Sequence, residues 1–175
     1  MKEWRERLQD GFRFGDEHSL RGRSAAAGLA GVMLMRGSQQ LTRAQIDSRL
    51  QALQTTGGVG GNLQGASLSM LSRRQHLPEA LALLASLLRE PAFPADEFEQ
   101  LRLQAITGLE ATRMEPGNIA SQALALHFDP WPEGHPYHVE TLDESLARVR
   151  AMRREDLVAF HRDFYGTARG EIAIV

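Results

Sequence analysis

Three histidines near residue 130 form the densest group of possible metal ligands in the sequence. His127, His135 and His138 stand in the stretch HFDPWPEGHPYH, together with Asp129 and Glu133. Imidazole and carboxylate groups are ligands that zinc takes in proteins. These side chains are spread over a proline-rich loop instead of one helix face, and a proline separates the last two histidines. The loop therefore has two interpretations: a shaped surface loop, which the spacing favours, or a relocated metal site of a hydrolase.

Other patterns that could carry chemistry have simpler explanations. The glycines of GGVGGNLQG, residues 57–65, follow a helical pattern and lead into strands, whereas a dinucleotide-binding loop follows a strand and opens a helix. Adjacent carboxylates at 96–97 and 143–144 lie at predicted helix starts, where the helix dipole favours negative charge. The segment GASLS is not a Gly-x-Ser-x-Gly nucleophile turn. The sequence thus predicts no catalytic residue and no cofactor in this domain.

Charge and composition exclude two classes of partner. The chain has 20 Lys and Arg against 22 Asp and Glu, a net charge of −2, and the two signs are interspersed. A nucleic-acid-binding domain would show a basic excess or a basic stripe. No run approaches the ~20 apolar residues that a membrane-spanning helix needs. We therefore expect neither a nucleic acid nor a membrane as partner. With no cysteine in the chain, disulfides and thiolate metal sites are also excluded.

The periodicity of apolar residues predicts helices and strands in mixed order. A short strand is expected over residues 11–17, a helix capped by Ser24 that runs to Arg36, and a second helix capped by Thr42. Two neighbouring strands follow at 59–63 and 65–73, and five further helices precede a last strand in GEIAIV. Mixed elements of this kind favour an α+β fold, a largely antiparallel sheet with helices packed on one side.

Several stretches, in order, resemble one protein family. GLAGVMLMRGSQQLTRAQIDSRLQAL, REPAFPADEFEQLR and GHPY are similar to segments of the pitrilysin/insulinase (M16-type) zinc peptidases, and the resemblance covers nearly the whole chain. The active domains of that family carry His-x-x-Glu-His on their first helix. Two imidazoles one turn apart bind zinc, and the Glu acts as base for the zinc-bound water. A Glu on a later helix is the third ligand.

The resemblance places this motif where the chain has no metal ligand. The His, Glu and His positions align with Gly28, Gly31 and Val32, and no His, Glu or Asp occurs between Arg21 and Leu41. The third-ligand position falls near Glu110. The helix therefore resembles the zinc helix of a peptidase in which small apolar residues have replaced the ligands, and such residues allow close packing without burying unpaired polar groups.

The resemblance also implies what kind of assembly the domain belongs to. It implies that residues 1–175 are a single inactive peptidase-like domain, excised from a longer chain. In a bacterial M16-type peptidase it would pair with a zinc-bearing catalytic half, on the same chain or a partner subunit, and help to enclose a peptide substrate. Zinc is expected only in that partner half. Surfaces that normally face other domains predict self-association in isolation. The alternative is a stand-alone protein-binding or assembly module.

Overall fold

A computed structural model of the 175-residue chain describes the backbone of residues 5–166 and 170–174 and the side chains of residues 13–166. The described strands are β1 Arg5–Arg13, β2 Thr56–Gly61, β3 Gly65–Arg73 and β4 Gly170–Ile174. The described helices are α1 Glu17–Leu20, α2 Ser24–Leu34, α3 Arg43–Ala52, α4 Leu77–Arg89, α5 Ala95–Thr112, α6 Pro116–His127, α7 Leu142–Ala151 and α8 Arg154–Phe164.

The strands form one antiparallel sheet in the order β2-β3-β1-β4. In β3 the side chains alternate between buried and more exposed positions, with Ala66, Leu68 and Met70 on the buried face. A strand that buries alternate residues is covered on one side, because successive side chains point to opposite faces. The α+β fold with helices packed against a largely antiparallel sheet is confirmed.

The core lies between the sheet and the helices. α2 packs against β2 and α8, and α5 packs against α7. The largest fully buried apolar side chains come from four helices and from strand β3: Phe160, Met33, Leu34, Ile46, Leu68, Leu87 and Leu157. No helix within the described part of the chain is long and apolar enough to cross a membrane.

Several predicted elements are confirmed, and their local signals explain them. Thr42 caps α3 as expected, since its side chain accepts a hydrogen bond from the Gln45 amide. β3 has the predicted bounds. α4 begins with a proline in its first turn, where the missing amide hydrogen costs nothing.

Two expectations at the start of the chain were wrong. The first strand runs from Arg5 to Arg13 instead of over residues 11–17, because it pairs with β3 along a mostly polar stretch that shows little apolar alternation. Ser24 does not cap α2: the N-cap residue is Arg23, and the Ser24 hydroxyl donates to Glu140 Oε1 at 2.9 Å. The short helix α1, capped by Asp16, was not predicted.

Candidate functional site: a helix–strand contact built on glycine

Helix α2, which the sequence resemblance aligns with the zinc helix of M16-type peptidases, is buried among its neighbours. Its sequence, SAAAGLAGVML, carries no charged residue. Ala27, Ala30, Met33 and Leu34 are fully buried. Small side chains along one helix face allow the backbone of a neighbouring element to come close. Here that neighbour is β2.

Helix and strand meet at glycines. A Cβ added to Gly31 would lie 3.1 Å from the Gly60 carbonyl carbon and 3.1 Å from the Gly61 nitrogen. A Cβ added to Gly61 would lie 2.8 Å from the Ala27 carbonyl oxygen. These neighbouring atoms belong to the backbone and cannot swing aside. The glycine-rich β2 segment is thus an adaptation to close approach, as expected for glycine within a strand.

An aromatic side chain lies beside the glycine contact. A Cβ on Gly31 would lie 3.3 Å from the Tyr165 hydroxyl oxygen, and one on Gly61 would lie 3.6 Å from it. The Tyr165 ring packs 5.1 Å from the Phe14 ring. Burial raises the pKa of the Tyr165 phenol far above its ordinary value. The sequence analysis missed this residue, because its closeness to Gly31 arises only when α2 and the chain after α8 meet.

The positions aligned with the zinc ligands do not fit a zinc ion. Gly31 faces the backbone of β2, a Cβ on Gly28 would meet nothing within 4 Å, and Val32 is half-buried and packs against the core. None of the three carries a donor atom on its side chain. That these positions descend from ligands is implied by the resemblance and stays a prediction.

Glu110, aligned near the third-ligand position, is engaged on a different surface. Its Oε1 accepts a hydrogen bond from Arg150 Nη2 at 2.7 Å, and both side chains are about half exposed. Nearer its N-terminus, α5 is held to the end of α2 by a hydrogen bond in which Arg36 donates to Gln104 Oε1 at 3.1 Å. Glu110 lies six residues beyond Gln104, or roughly 9 Å along the helix.

A buried ion pair fixes the end of α2 against α5. Arg36 Nη1 lies 2.9 Å from Glu97 Oε2, and the two side chains are 10% and 16% exposed. Arg43 at the start of α3 lies 3.2 Å from the same oxygen. In the sequence analysis, the helix dipole alone explained why Glu97 lies in the first turn of α5. The structure adds a positioning function, since one carboxylate joins α2, α3 and α5.

The structure distributes the three histidines of the 127–138 loop among separate partners. His127 is exposed and its ring lies 5.0 Å from the Phe128 ring. His135 is buried and stacks on Trp131, with the ring centroids 4.0 Å apart and the planes at 4°. Its Nε2 lies 3.2 Å from Glu17 Oε1. Each imidazole therefore makes its own contacts.

Asp129 organises the loop. Its side chain is 5% exposed and accepts hydrogen bonds from the Trp131 and Val139 amides. These two bonds hold the pKa of Asp129 below its usual value, and His138 Nδ1 lies 2.7 Å from Asp129 Oδ2. Burial opposes the charge on His138, but bonds to the Trp131 carbonyl and to Asp129 together raise its pKa.

The two large aromatic side chains of the loop lie at its surface. Trp131 and Tyr137 are 43% and 49% exposed, whereas His135, which stacks on Trp131, is buried. Among the residues whose side chains are described, 13–166, no group of three or more His, Asp or Glu is arranged to hold a metal ion. The loop geometry is thus that of a hydrogen-bonded surface structure.

Comparison with solved structures gives the fold a family context. No protein-family model matches the chain, and no curated protein matches it by sequence. An M16 peptidase inactive domain from Pseudomonas fluorescens superimposes with a TM-score of 0.82 at 26% identity, covering 98% of this chain and 41% of that one. A protease from Helicobacter pylori gives a TM-score of 0.79 at 16% identity, with 98% and 41% covered.

A third structure is the periplasmic protease PqqL from Escherichia coli, with a TM-score of 0.76 at 13% identity, covering 100% of this chain and 19% of that one. The last two likenesses concern the fold alone. The chain spans less than half the length of each of these proteins. The resemblance found in the sequence is confirmed: the chain is similar in fold to the inactive domain of an M16 peptidase.

Proposed function

We propose that this chain is a non-catalytic domain that completes an M16-type peptidase by enclosing peptide substrate together with a zinc-bearing half. The observation that carries the proposal is the contact between α2 and β2. The helix that the sequence resemblance aligns with the zinc helix carries no imidazole or carboxylate side chain, and Gly31 brings it against the Gly60 and Gly61 backbone. The M16 inactive-domain fold of the chain supports the same function.

The proposal assigns catalysis and zinc to the partner half. That half supplies the metal-activated water, which needs imidazole and carboxylate ligands. This chain supplies a rigid wall, since α2 is fixed by β2 on one side and by the Arg36–Glu97 ion pair at its end. On this view residues 1–175 are one domain of a longer peptidase, and the partner is the catalytic half of that peptidase, on the same chain or a separate subunit.

The experiment combines metal analysis with reconstitution. The purified chain is assayed for bound zinc and for cleavage of a fluorogenic peptide, alone and mixed with the zinc-bearing half of its own peptidase. We expect no zinc and no cleavage from the chain alone, and a higher kcat/KM for the zinc half when the chain is added. A chelator should abolish all cleavage in the mixture.

Two results would decide against the proposal. Stoichiometric zinc in the isolated chain, with chelator-sensitive cleavage, would identify it as an enzyme. An unchanged kcat/KM for the zinc half at every concentration of the chain would indicate a stand-alone binding module instead. A test variant is Gly61→Leu, which forces β2 away from α2 and should lower the stimulation if the α2–β2 contact positions the wall.

A further inference from the structure

Residues 135–138 form a tight turn that is closed by two hydrogen bonds. The His138 amide donates to the His135 carbonyl oxygen at 3.0 Å, and Pro136 occupies the second position of the turn, which suits its fixed φ. The Tyr137 amide donates to His135 Nδ1 at 3.1 Å. Asn and Asp side chains accept a hydrogen bond from the amide two residues on in the same way. His135 therefore closes this turn with an imidazole in place of a carboxamide or carboxylate.

The bond from the Tyr137 amide fixes where the imidazole of His135 carries its proton. A backbone amide can only donate, so Nδ1 holds a lone pair and the neutral ring carries its hydrogen on Nε2. The His135 side chain is 4% exposed, and its ring stacks on Trp131. A second proton has to bind Nδ1, where it faces the amide hydrogen. The buried position therefore suits the neutral ring and not the imidazolium.

Helix α1 faces the other nitrogen of this ring. Glu17 Oε1 lies 3.2 Å from His135 Nε2, although the contact is not a well-directed hydrogen bond. The same oxygen accepts a hydrogen bond from Arg21 Nη2 at 3.0 Å, and the Glu17 side chain is about half exposed, so its attraction for an imidazolium is offset and screened. Glu17 also gives Nδ1–H no acceptor. Protonation thus leaves a buried N–H without a partner, which is costly unless the ring moves to solvent.

Two other ionisable groups of the loop respond differently to acid. His138 Nδ1 lies 2.7 Å from Asp129 Oδ2 and 3.1 Å from the Trp131 carbonyl oxygen, so it donates whether the ring is neutral or charged. A proton on its other nitrogen keeps these contacts and strengthens the pairing with Asp129. The Trp131 and Val139 amides hold the pKa of Asp129 below its usual value. Of these groups, His135 is the one whose protonation breaks a hydrogen bond.

We propose that the 135–138 turn is a pH-sensitive clasp, which holds the His135 ring in its stack on Trp131 while the ring is neutral and releases it to solvent when Nδ1 is protonated. Trp131 and Tyr137 are 43% and 49% exposed, so the aromatic surface that they present changes with pH. The contact of the turn with Glu17 on α1 changes as well. The clasp is independent of the proposed peptidase function, because it uses no residue of the α2–β2 contact.

Fluorescence of Trp131 between pH 8 and pH 4.5 follows the release of the ring. The chain has two tryptophans, and Trp4→Phe leaves Trp131 as the reporter. Its emission should shift to longer wavelength on acidification, because the indole loses the stacked imidazole and contacts more water. In NMR spectra the Tyr137 amide proton should move upfield as it loses its acceptor, with the same midpoint as the His135 ring signals.

His135→Asn is the decisive variant. An Asn side-chain oxygen accepts from the amide two residues on, and Asn-Pro favours a turn, so the turn keeps its bond but has no group to protonate. The Trp131 emission of this variant should not depend on pH. His127→Gln, which changes an exposed histidine outside the turn, is the matched control and should keep the full transition. Glu17→Gln should move the midpoint to lower pH, because it removes the anion beside the imidazolium.

Four results would overturn the proposal. Constant Trp131 emission over this pH range shows that the ring stays in place. The same transition in His135→Asn assigns the change to another group. A transition that coincides with loss of helical circular dichroism is global unfolding and not release of the turn. Different midpoints for the Tyr137 amide and the His135 ring separate the two events, and this comparison decides the matter even where His135→Asn does not fold.

Discussion

Helices α2 and α6 are nearly alike in composition and opposite in environment. Both are rich in alanine and leucine, both lack charged residues within their bounds, and neither has a side-chain N-cap hydrogen bond. α2 buries six of its residues against neighbouring elements, whereas α6 buries none. An uncharged helix rich in alanine and leucine is thus packed against the rest of the described chain in one case and exposed in the other.

The two helices differ in burial because they differ in the elements that contact them. α2 meets a strand in which four of six residues are glycine, and their backbones touch at Gly31 and Gly61. α6 follows α5 through a short turn and contacts no strand to a comparable extent. A helix without charge is costly to leave in water when its large apolar side chains are exposed. The following measurements test how differently the two helices are packed.

Hydrogen exchange should show the largest contrast. Amides in the middle of α2 should exchange only through global unfolding, which costs about 5–15 kcal/mol in domains of this kind. Amides of α6 should exchange through local opening, whose free energy is near zero for an uncovered segment. Exchange measured at low protein concentration checks this. Equal protection of the two helices in the monomer would mean that α6 is packed after all.

The same side-chain truncation should have very different effects in the two helices. Leu34→Ala removes a fully buried side chain of α2 and should lower the free energy of unfolding by about 2–5 kcal/mol. Leu124→Ala changes an exposed residue of α6 and should stay within about 0.5 kcal/mol of wild type. Denaturant unfolding at low protein concentration measures both. A large loss for Leu124→Ala would contradict the exposed position of this residue.

Alanine substitutions of two glycines, one in β2 and one in α2, should change the free energy of unfolding in opposite directions. Gly61→Ala places a methyl group 2.8 Å from the Ala27 carbonyl oxygen, so the strand must shift at a cost of about 1–3 kcal/mol. Gly28→Ala meets nothing within 4 Å, and the better helix propensity of alanine should add up to about 1 kcal/mol. Thermal or denaturant unfolding compares the two. Stabilisation by both substitutions would refute the backbone contact.

The sequence predicts much of this fold because most of its elements carry local signals. Thr42 with Gln45, and the proline in the first turn of α4, mark helix starts that depend on neighbours in sequence only. The first half of β1 could not be found in this way. Its residues form a strand because β3 pairs with them, and such long-range pairing leaves no apolar alternation in a polar segment.

The candidate site was predictable in composition but not in geometry. The absence of metal ligands around Gly28, Gly31 and Val32 is a property of the sequence itself. The contact of Gly31 with Gly61 joins residues 30 positions apart, and no sequence pattern specifies which glycine faces which. Likewise, Glu97 looked like a helix-dipole residue until Arg36 and Arg43 were found beside its carboxylate.

The smallest expected contrast concerns two histidines. His161 on α8 lies beside Tyr165, and its Nε2 donates to the Leu88 carbonyl oxygen at 2.8 Å. Burial lowers its pKa, although this bond opposes the shift. His138, in the loop after α6, has a raised pKa: burial works against the charge, and bonds to the Trp131 carbonyl and Asp129 outweigh it. Titration followed by NMR should therefore place His161 below 6.5 and His138 above it.

The two shifts act on stability in opposite directions. The contribution of His161 is present above its unfolded pKa of about 6.5 and is lost as the pH falls through its folded value. The contribution of His138 is present below about 6.5 and is lost as the pH rises through its folded value. Free energies of unfolding from pH 5 to 8 for His161→Gln and His138→Gln measure these contributions. Relative to wild type, His161→Gln should be less sensitive to acidification and His138→Gln should be less sensitive to alkalinisation. The same pH dependence in both variants would show that the two imidazoles experience similar surroundings, which their different contacts exclude.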